Sequence, residues 1–177
     1  LYAKWVSAVW PLEFVLNESQ QNEVYGYLRN ETLFYLGFIN VNIAPNPDQL
    51  DFLLTELQSS RKDNLLLSYL TVTILMRTGK NDEAINVLDE NMNSNDYFPF
   101  FYLEYLDGEC RLRKLNLDSA SERYDIFLSN FNGKNYIADA WRKMAWAALL
   151  KGNTKRYQTY MDKLLEFGID EVGIDQD

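Results

Sequence analysis

The side chains most often used in catalysis and metal binding are sparse in this sequence of 177 residues. It contains no histidine, which excludes Ser/His/Asp and Cys/His nucleophile systems and zinc sites built on imidazole ligands. Carboxylates are abundant, with 26 Asp and Glu, but no helical spacing singles out two that must face one cleft, as a glycosidase requires. The sequence therefore predicts no catalytic residue and no enzyme.

Motifs for phosphates, metals and redox chemistry are also incomplete. The Gly-Lys pair at 133–134 lacks the spaced second glycine and the Ser or Thr of a phosphate-binding loop. The acidic residues at 170–177 do not follow the pattern of a calcium loop, which favours a solvated tail or the start of another helix. Cys110 is the one cysteine, and its apolar helical surroundings predict a buried structural thiol. We expect no cofactor and no metal.

Composition and charge limit the class of partner. Apolar types make up 47% of the residues and aromatic types 15%, which is enough to fold a core. The formal charge of −9 repels phosphate backbones, so we expect no nucleic acid partner. Residues 1–10 are apolar and aromatic but too short to span a bilayer, and we expect a helix left from a preceding repeat in a longer protein. We expect no transmembrane segment.

Helical hairpins recur along the second half of the sequence. Residues 64–79 predict a helix that stops at Gly79, and Asn81 is expected to cap a second one. Residues 100–115 predict the next helix, and the capping box at 119–122 is expected to start its partner. The third pair is predicted to turn at Gly152 and to end at Gly168. The predicted hairpins cover about 64–95, 99–132 and 135–168, and 169–177 is an acidic tail or the start of a further repeat.

The N-terminal region, residues 1–60, is predicted to hold further helices that form a degenerate repeat. One long helix is expected over 23–41, and Asn46 followed by Pro47 predicts the start of another. No Val/Ile-rich alternating run suggests a strand, so the predicted fold class is all-α.

The hairpins repeat at a nearly constant interval. Ala84, Ala120 and Tyr157, at the close-packing point of each second helix, are 36 and 37 residues apart, near the ~34 of a tetratricopeptide repeat. Trp141 falls on the early aromatic position of that repeat. Small or compact residues occupy its small-residue position in the three first helices: Val72, Gly108 and Ala145.

These residues resemble the tetratricopeptide-repeat (TPR) family over about 64–168. The resemblance implies a right-handed superhelical stack of antiparallel helical hairpins, a TPR-like α-solenoid. The sequence departs from the pattern at Ser68, where the first hairpin lacks the early aromatic residue, and at Leu115, which replaces the turn glycine of the second. The run at 135–152 is also similar to bacterial exported repeat proteins, which gives a slight preference for an exported, periplasm-like location.

The resemblance implies a groove lined by the outward positions of each first helix. A mixture of aromatic residues and arginine suits a protein or peptide partner. The alternative for each Tyr or Leu is packing against the next hairpin. The Lys/Asn pair that family members use to clamp a C-terminal carboxylate is missing. The candidate partner-binding residues are Tyr69, Thr73, Met76 and Arg77 in the first hairpin, Tyr105, Glu109, Leu112 and Arg113 in the second, and Arg142, Trp146, Leu149 and Leu150 in the third.

The function that follows is a non-catalytic scaffold that binds a protein or peptide, through the groove or through the aromatic N-terminal segment. Self-association as a homo-oligomer is left open. The alternative is a structural or assembly segment, or an accessory domain, of a larger protein whose active part lies outside this sequence. A scaffold with a ligand groove is expected to show a persistent concave surface that its own chain leaves unfilled, whereas a spacer is expected to pack its aromatic side chains away.

Overall fold

The computed structural model describes residues 2–60, 64–92 and 101–171, and every regular element within these ranges is helical. The all-α prediction is confirmed for this part of the chain. The molecule divides into two compact units, Leu1–Asn95 and Asp96–Asp177. The hairpin predicted at about 64–95 lies within the first of these units.

The first unit packs its helices around a core of leucine and isoleucine side chains. Leu33 on α3 (Arg29–Phe38), Leu57 on α4 (Pro47–Ser60) and Leu67 on α5 (Leu65–Arg77) are each 0% exposed. Gly37 allows α3 to approach α5 closely, because a Cβ at this position would lie 2.8 Å from Cδ1 of Leu70. The helices are α1 (Tyr2–Ser7), α2 (Val9–Gln21), α3 (Arg29–Phe38), α4 (Pro47–Ser60), α5 (Leu65–Arg77) and α6 (Asn81–Met92).

The second unit consists of two antiparallel helical hairpins. Its core is more aromatic, with Tyr124 and Phe127 fully buried beside small residues such as Ala120 and Ala145. Cys110 is also 0% exposed, and burial raises the pKa of its thiol to about 12, which confirms the predicted buried thiol. The helices are α7 (Tyr102–Arg113), α8 (Leu117–Asn130), α9 (Ile137–Leu150) and α10 (Thr154–Glu171).

Residues 23–43 form a continuous helical run, as predicted for 23–41, but the type of helix changes along it. The segment begins with a 3-10 turn at Glu23–Leu28, continues as α3, and ends in a π turn at Ile39–Ile43. In the π turn the backbone N–H of Ala44 donates to the carbonyl of Ile39, 2.9 Å away. Local hydrogen bonding therefore changes at both ends of α3, which periodicity of apolar residues does not reveal.

Of the predicted helix starts, one is confirmed and two are wrong, because the residue that caps a helix depends on where the preceding turn ends. Asn46 caps α4 as expected, since its Oδ1 accepts from the N–H of Asp48 at 3.2 Å. Asn81 does not cap α6: the helix includes Asn81, and its Oδ1 is buried with no hydrogen bond to any described residue. The capping box at 119–122 is also wrong, because α8 begins two residues earlier, at Leu117. The expected stop at Gly168 is wrong as well, since α10 continues to Glu171.

Three first helices end in the same left-handed turn. Gly79, Leu115 and Gly152 have φ values of +77°, +58° and +72°. In each turn the next N–H donates to the carbonyl five residues back, which satisfies a carbonyl at the helix end. These bonds join Lys80 to Leu75 (2.8 Å), Asn116 to Arg111 (2.9 Å) and Asn153 to Ala148 (2.9 Å). The turn therefore persists at Leu115 although glycine is absent.

Replacing Leu115 with glycine should stabilise the protein. The Leu115 side chain is 71% exposed, so little packing is lost, while a non-glycine residue in this conformation costs about 1 kcal/mol. Glycine is also more flexible in the unfolded chain, which offsets part of this gain. We therefore expect the free energy of unfolding, measured by chemical denaturation, to rise by about 0.5–1 kcal/mol. The matched control is Gly152→Ala, in which the free energy of unfolding should fall by about the same amount. A loss of stability in Leu115→Gly would contradict the turn geometry.

Candidate functional site

The candidate residues on α5 are mostly enclosed. Met76 is 8% exposed, and Tyr69 and Thr73 are half-buried. The hydroxyl of Thr73 donates to the backbone carbonyl of Tyr69 at 2.8 Å, so it is used within the helix. Arg77 is exposed at the C-terminal end of α5. On this helix, Arg77 is the candidate that offers the most surface.

The candidates on α7 divide between core and surface. Tyr105 is 6% exposed, as the packing alternative expects for a tyrosine at this position. Glu109 and Leu112 are half-buried, and Arg113 is exposed. Tyr105 stacks on Tyr102, with ring centroids 5.4 Å apart. Most candidate side chains on α7 therefore pack inside the second unit, and few of them are open to a partner.

Helix α9 carries the most exposed candidates. Trp146, Leu149 and Leu150 are 64%, 52% and 62% exposed, respectively. Their spacing of three and four residues places them on one face of the helix. Arg142 lies one turn before Trp146, with 55% of its side chain exposed. We call these four residues the α9 face.

A charged network joins α9 to α7 beside this face. The ammonium of Lys143 forms ion pairs with Glu109 and with Asp139, the latter at 2.6 Å, and donates to the hydroxyl of Tyr105 at 2.9 Å. The Tyr105 hydroxyl donates in turn to Asp139. The Tyr124 hydroxyl, from α8, donates to Glu109. One lysine therefore holds two carboxylates and links three helices of the second unit.

A second ionic cluster lies deeper in the same unit. Asp107 has a side chain that is 0% exposed, and its two oxygens pair with Arg111 at 2.7 Å and with Arg123 at 2.9 Å. Arg123 also reaches Glu104 at 3.4 Å. Burial raises the pKa of Glu104, although Arg123 attracts its charged form. The cluster ties α8 to α7 through Asp107.

The two tyrosines in the Lys143 network are hydrogen-bond donors at any ordinary pH. Burial, hydrogen bonds to carboxylates and the negative charges of those carboxylates raise the pKa of Tyr105 and of Tyr124 far above the usual value. For Asp139, burial alone would raise the pKa, but hydrogen bonds from Lys143 and Tyr105 outweigh it and lower the pKa. This arrangement stabilises charges in fixed positions.

Neutralising Asp139 should reduce stability in a pH-dependent way. Its pKa is lower in the folded protein than in the unfolded chain, so its contribution is complete above the unfolded pKa of about 4 and is lost as the pH falls further. We expect Asp139→Asn to cost on the order of 1 kcal/mol at pH 7. Urea unfolding at several pH values should show this difference shrinking below about pH 4. Asp118→Asn, which removes a carboxylate that is 80% exposed, is the control and should change little.

Three solved structures resemble the chain over nearly its whole length. Crystal structures of MamA superpose with TM-scores of 0.73 and 0.75, at 17% and 18% identity, and cover 99% and 97% of this chain and 88% and 92% of theirs. A third, MamA MSR-1 C2, gives 0.70 at 17% identity, covering 96% of this chain and 90% of that one. MamA is built from tetratricopeptide repeats. The chain has the tetratricopeptide-repeat fold.

The fold inferred from the TPR resemblance is thus confirmed by structure. No family model matches the sequence, and no curated protein sequence matches it significantly. The similarity to exported bacterial proteins stays a prediction, as do the individual binding residues.

Sequence reasoning missed the ionic residues that fix the TPR helices in place. The i, i+4 spacing of Asp139 and Lys143 predicts an ion pair within α9. Their link to Glu109 and Tyr124 depends on tertiary packing, which the spacing does not reveal. Among the residues described, no three metal-ligating side chains cluster. Within the same ranges, no helix is both long enough and apolar enough to cross a bilayer.

Proposed function

We propose that this chain is a non-catalytic scaffold that binds a protein or peptide through the α9 face. The observation that carries the proposal is the exposure of Trp146, Leu149 and Leu150 together on one helix. Large apolar side chains that lie next to one another and are exposed to solvent are typical of an interaction site. Tryptophan is enriched among the residues that provide most of the binding energy.

The opposite side of α9 supports this interpretation. Ala140, Met144 and Ala145 are 0% exposed, so the helix is already anchored and does not need Trp146 for its own packing. The Lys143 network holds α9 against α7, which keeps the face in one orientation before a partner arrives. A rigid surface loses less conformational entropy on binding.

Polar groups around the face would set orientation. Arg142 pairs with Asp139 at 3.2 Å, yet more than half of its side chain remains exposed and can donate further hydrogen bonds. An apolar centre with a charged rim is the usual arrangement at a protein interface. The partner we expect presents apolar side chains to Trp146 and carbonyl or carboxylate oxygens to Arg142.

The structural-segment alternative explains the α9 face less well. A spacer would pack its aromatic residues away, as the chain does with Tyr105, Tyr124 and Phe127. Trp146, in contrast, is 64% exposed. The same face also argues against an accessory role without a binding surface of its own.

A peptide-display selection on the immobilised full chain tests the proposal. A parallel selection would use the variant Trp146→Ala/Leu149→Ser/Leu150→Ser, which should fold because all three side chains are exposed. We expect a recurring apolar motif to be enriched on the natural chain and not on the variant. Enrichment of the same peptides on both proteins, or of no shared motif on either, would contradict the α9 face as a binding site.

A further inference from the structure

The first unit contains an open groove between α2 and α4. Its volume is about 360 Å³, at the low end of the ~300–1,000 Å³ usual for ligand sites. A groove of this size accommodates one or two side chains of a peptide better than a large cofactor. The lining residues are Glu13, Leu16 and Asn17 on α2, and Asp48, Gln49 and Phe52 on α4.

The two helices run in parallel here and are joined at one end of the groove. Towards the C-terminal end of both, the amide of Gln20 donates to the carboxylate of Glu56 at 2.9 Å. Glu56 also pairs with Arg29 from α3. Towards the N-terminal end of both helices, Glu13 and Asp48 line the groove.

The groove combines an apolar base with two acidic groups. Leu16 is 1% exposed and lies deep between the helices, while Phe52 is 43% exposed and forms one wall. Glu13 and Asp48 stand on opposite walls. Neither carboxylate forms an ion pair with another described residue, so both charges are available to a ligand. Asn17 and Gln49 add amide groups that can bond to a peptide backbone.

We propose that this groove binds a basic segment of a protein partner, in which an apolar side chain stands next to lysine or arginine. The apolar side chain would contact Leu16 and Phe52, and the cation would lie between Glu13 and Asp48. The net charge of −9 attracts a basic segment over a longer range and repels an acidic one. This site lies on the first unit and does not depend on the α9 face.

Fluorescence anisotropy with labelled synthetic peptides tests the proposal on the full chain. The probe is an octapeptide of alternating leucine and lysine, and the comparison peptides replace lysine with glutamate or serine. We expect measurable binding of the lysine peptide, weakening as salt rises from 50 to 500 mM, and at least about 10-fold weaker binding of the glutamate peptide.

Variants then locate the site. Glu13→Gln/Asp48→Asn keeps the shape of both side chains and should weaken the lysine peptide by about 3- to 10-fold, the effect of losing two exposed ion pairs. Phe52→Ala should weaken it by a similar factor through lost apolar contact. The control is Glu18→Gln on the same helix, because Glu18 does not line the groove, and it should leave binding unchanged. Leu165→Ala, which removes an exposed side chain of the second unit, should also leave it unchanged.

Any of four results would overturn the proposal. The lysine peptide could fail to bind, or the glutamate or serine peptide could bind as tightly as the lysine peptide. The double variant could bind the lysine peptide as well as the natural chain does. If sedimentation instead showed self-association that Phe52→Ala removed, the occupant would be a second copy of the chain, and the basic-segment proposal would be wrong.

Discussion

Asp107→Asn should lower the free energy of unfolding by roughly 3–5 kcal/mol, the usual cost of removing one partner from a buried ion pair. The Asp107 side chain is 0% exposed and neutralises Arg111 and Arg123, whose side chains are only 15% and 25% exposed. Without the carboxylate, Arg111 and Arg123 both lose a partner where there is little water to screen their charges, although Arg123 keeps its contact with Glu104. Since small domains are stable by about 5–15 kcal/mol, this is a large share.

Guanidinium-induced unfolding followed by circular dichroism measures the effect. Lys151 forms an exposed ion pair with Asp118, so Asp118→Asn removes a comparable contact at the surface and should cost less than about 1 kcal/mol. Equal losses in the two variants would show that Asp107 is not the buried centre that we describe.

Gly108→Ala should destabilise the second unit by about 2 kcal/mol, although alanine favours helices. An added Cβ would lie 2.7 Å from Cε1 of Tyr124 and 2.9 Å from two more atoms of the same ring. The ring cannot move aside easily, because Tyr124 is 0% exposed and its hydroxyl is bound to Glu109. Overpacking of a close-packed core typically costs about 1–3 kcal/mol.

Gly168→Ala provides the control with the opposite sign. Gly168 also lies within a helix, α10, but no side chain that the structure describes would lie within 4 Å of its added Cβ. There alanine should gain up to about 1 kcal/mol in helix propensity. Thermal unfolding of both variants should move the transition in opposite directions, and a stabilised Gly108→Ala would contradict the packing described for α7 and α8.

The sequence revealed the helices because their apolar residues repeat every three to four positions. Trp141, Met144, Ala145 and Ala148 predict α9 in this way, and Gly152 predicts its end. The start of a helix is harder to predict where a capping motif and the end of the preceding turn indicate different residues. At 119–122 a capping box was expected, but the left-handed turn at Leu115 already determines that α8 begins at Leu117.

The candidate site was predictable only in part. Helical spacing places Arg142, Trp146 and Leu150 on one face, and the TPR resemblance selects that face for binding. The depth of each side chain depends on neighbouring helices, so the same reasoning also selected Tyr105, which the structure places in the core. The groove beside Leu16 left no sequence signal, because Glu13 and Asp48 lie far apart in the chain and meet only through packing.

The affinity of a selected peptide for Trp146→Ala tests the scaffold account most directly. Isothermal titration would compare the natural chain with this variant and with Leu165→Ala, which removes a side chain of similar exposure, 61%, on α10. We predict that Trp146→Ala weakens binding at least about 30-fold, the effect of losing a central tryptophan, and that Leu165→Ala changes it less than about 3-fold. Equal affinities of the natural chain and Trp146→Ala would contradict the account.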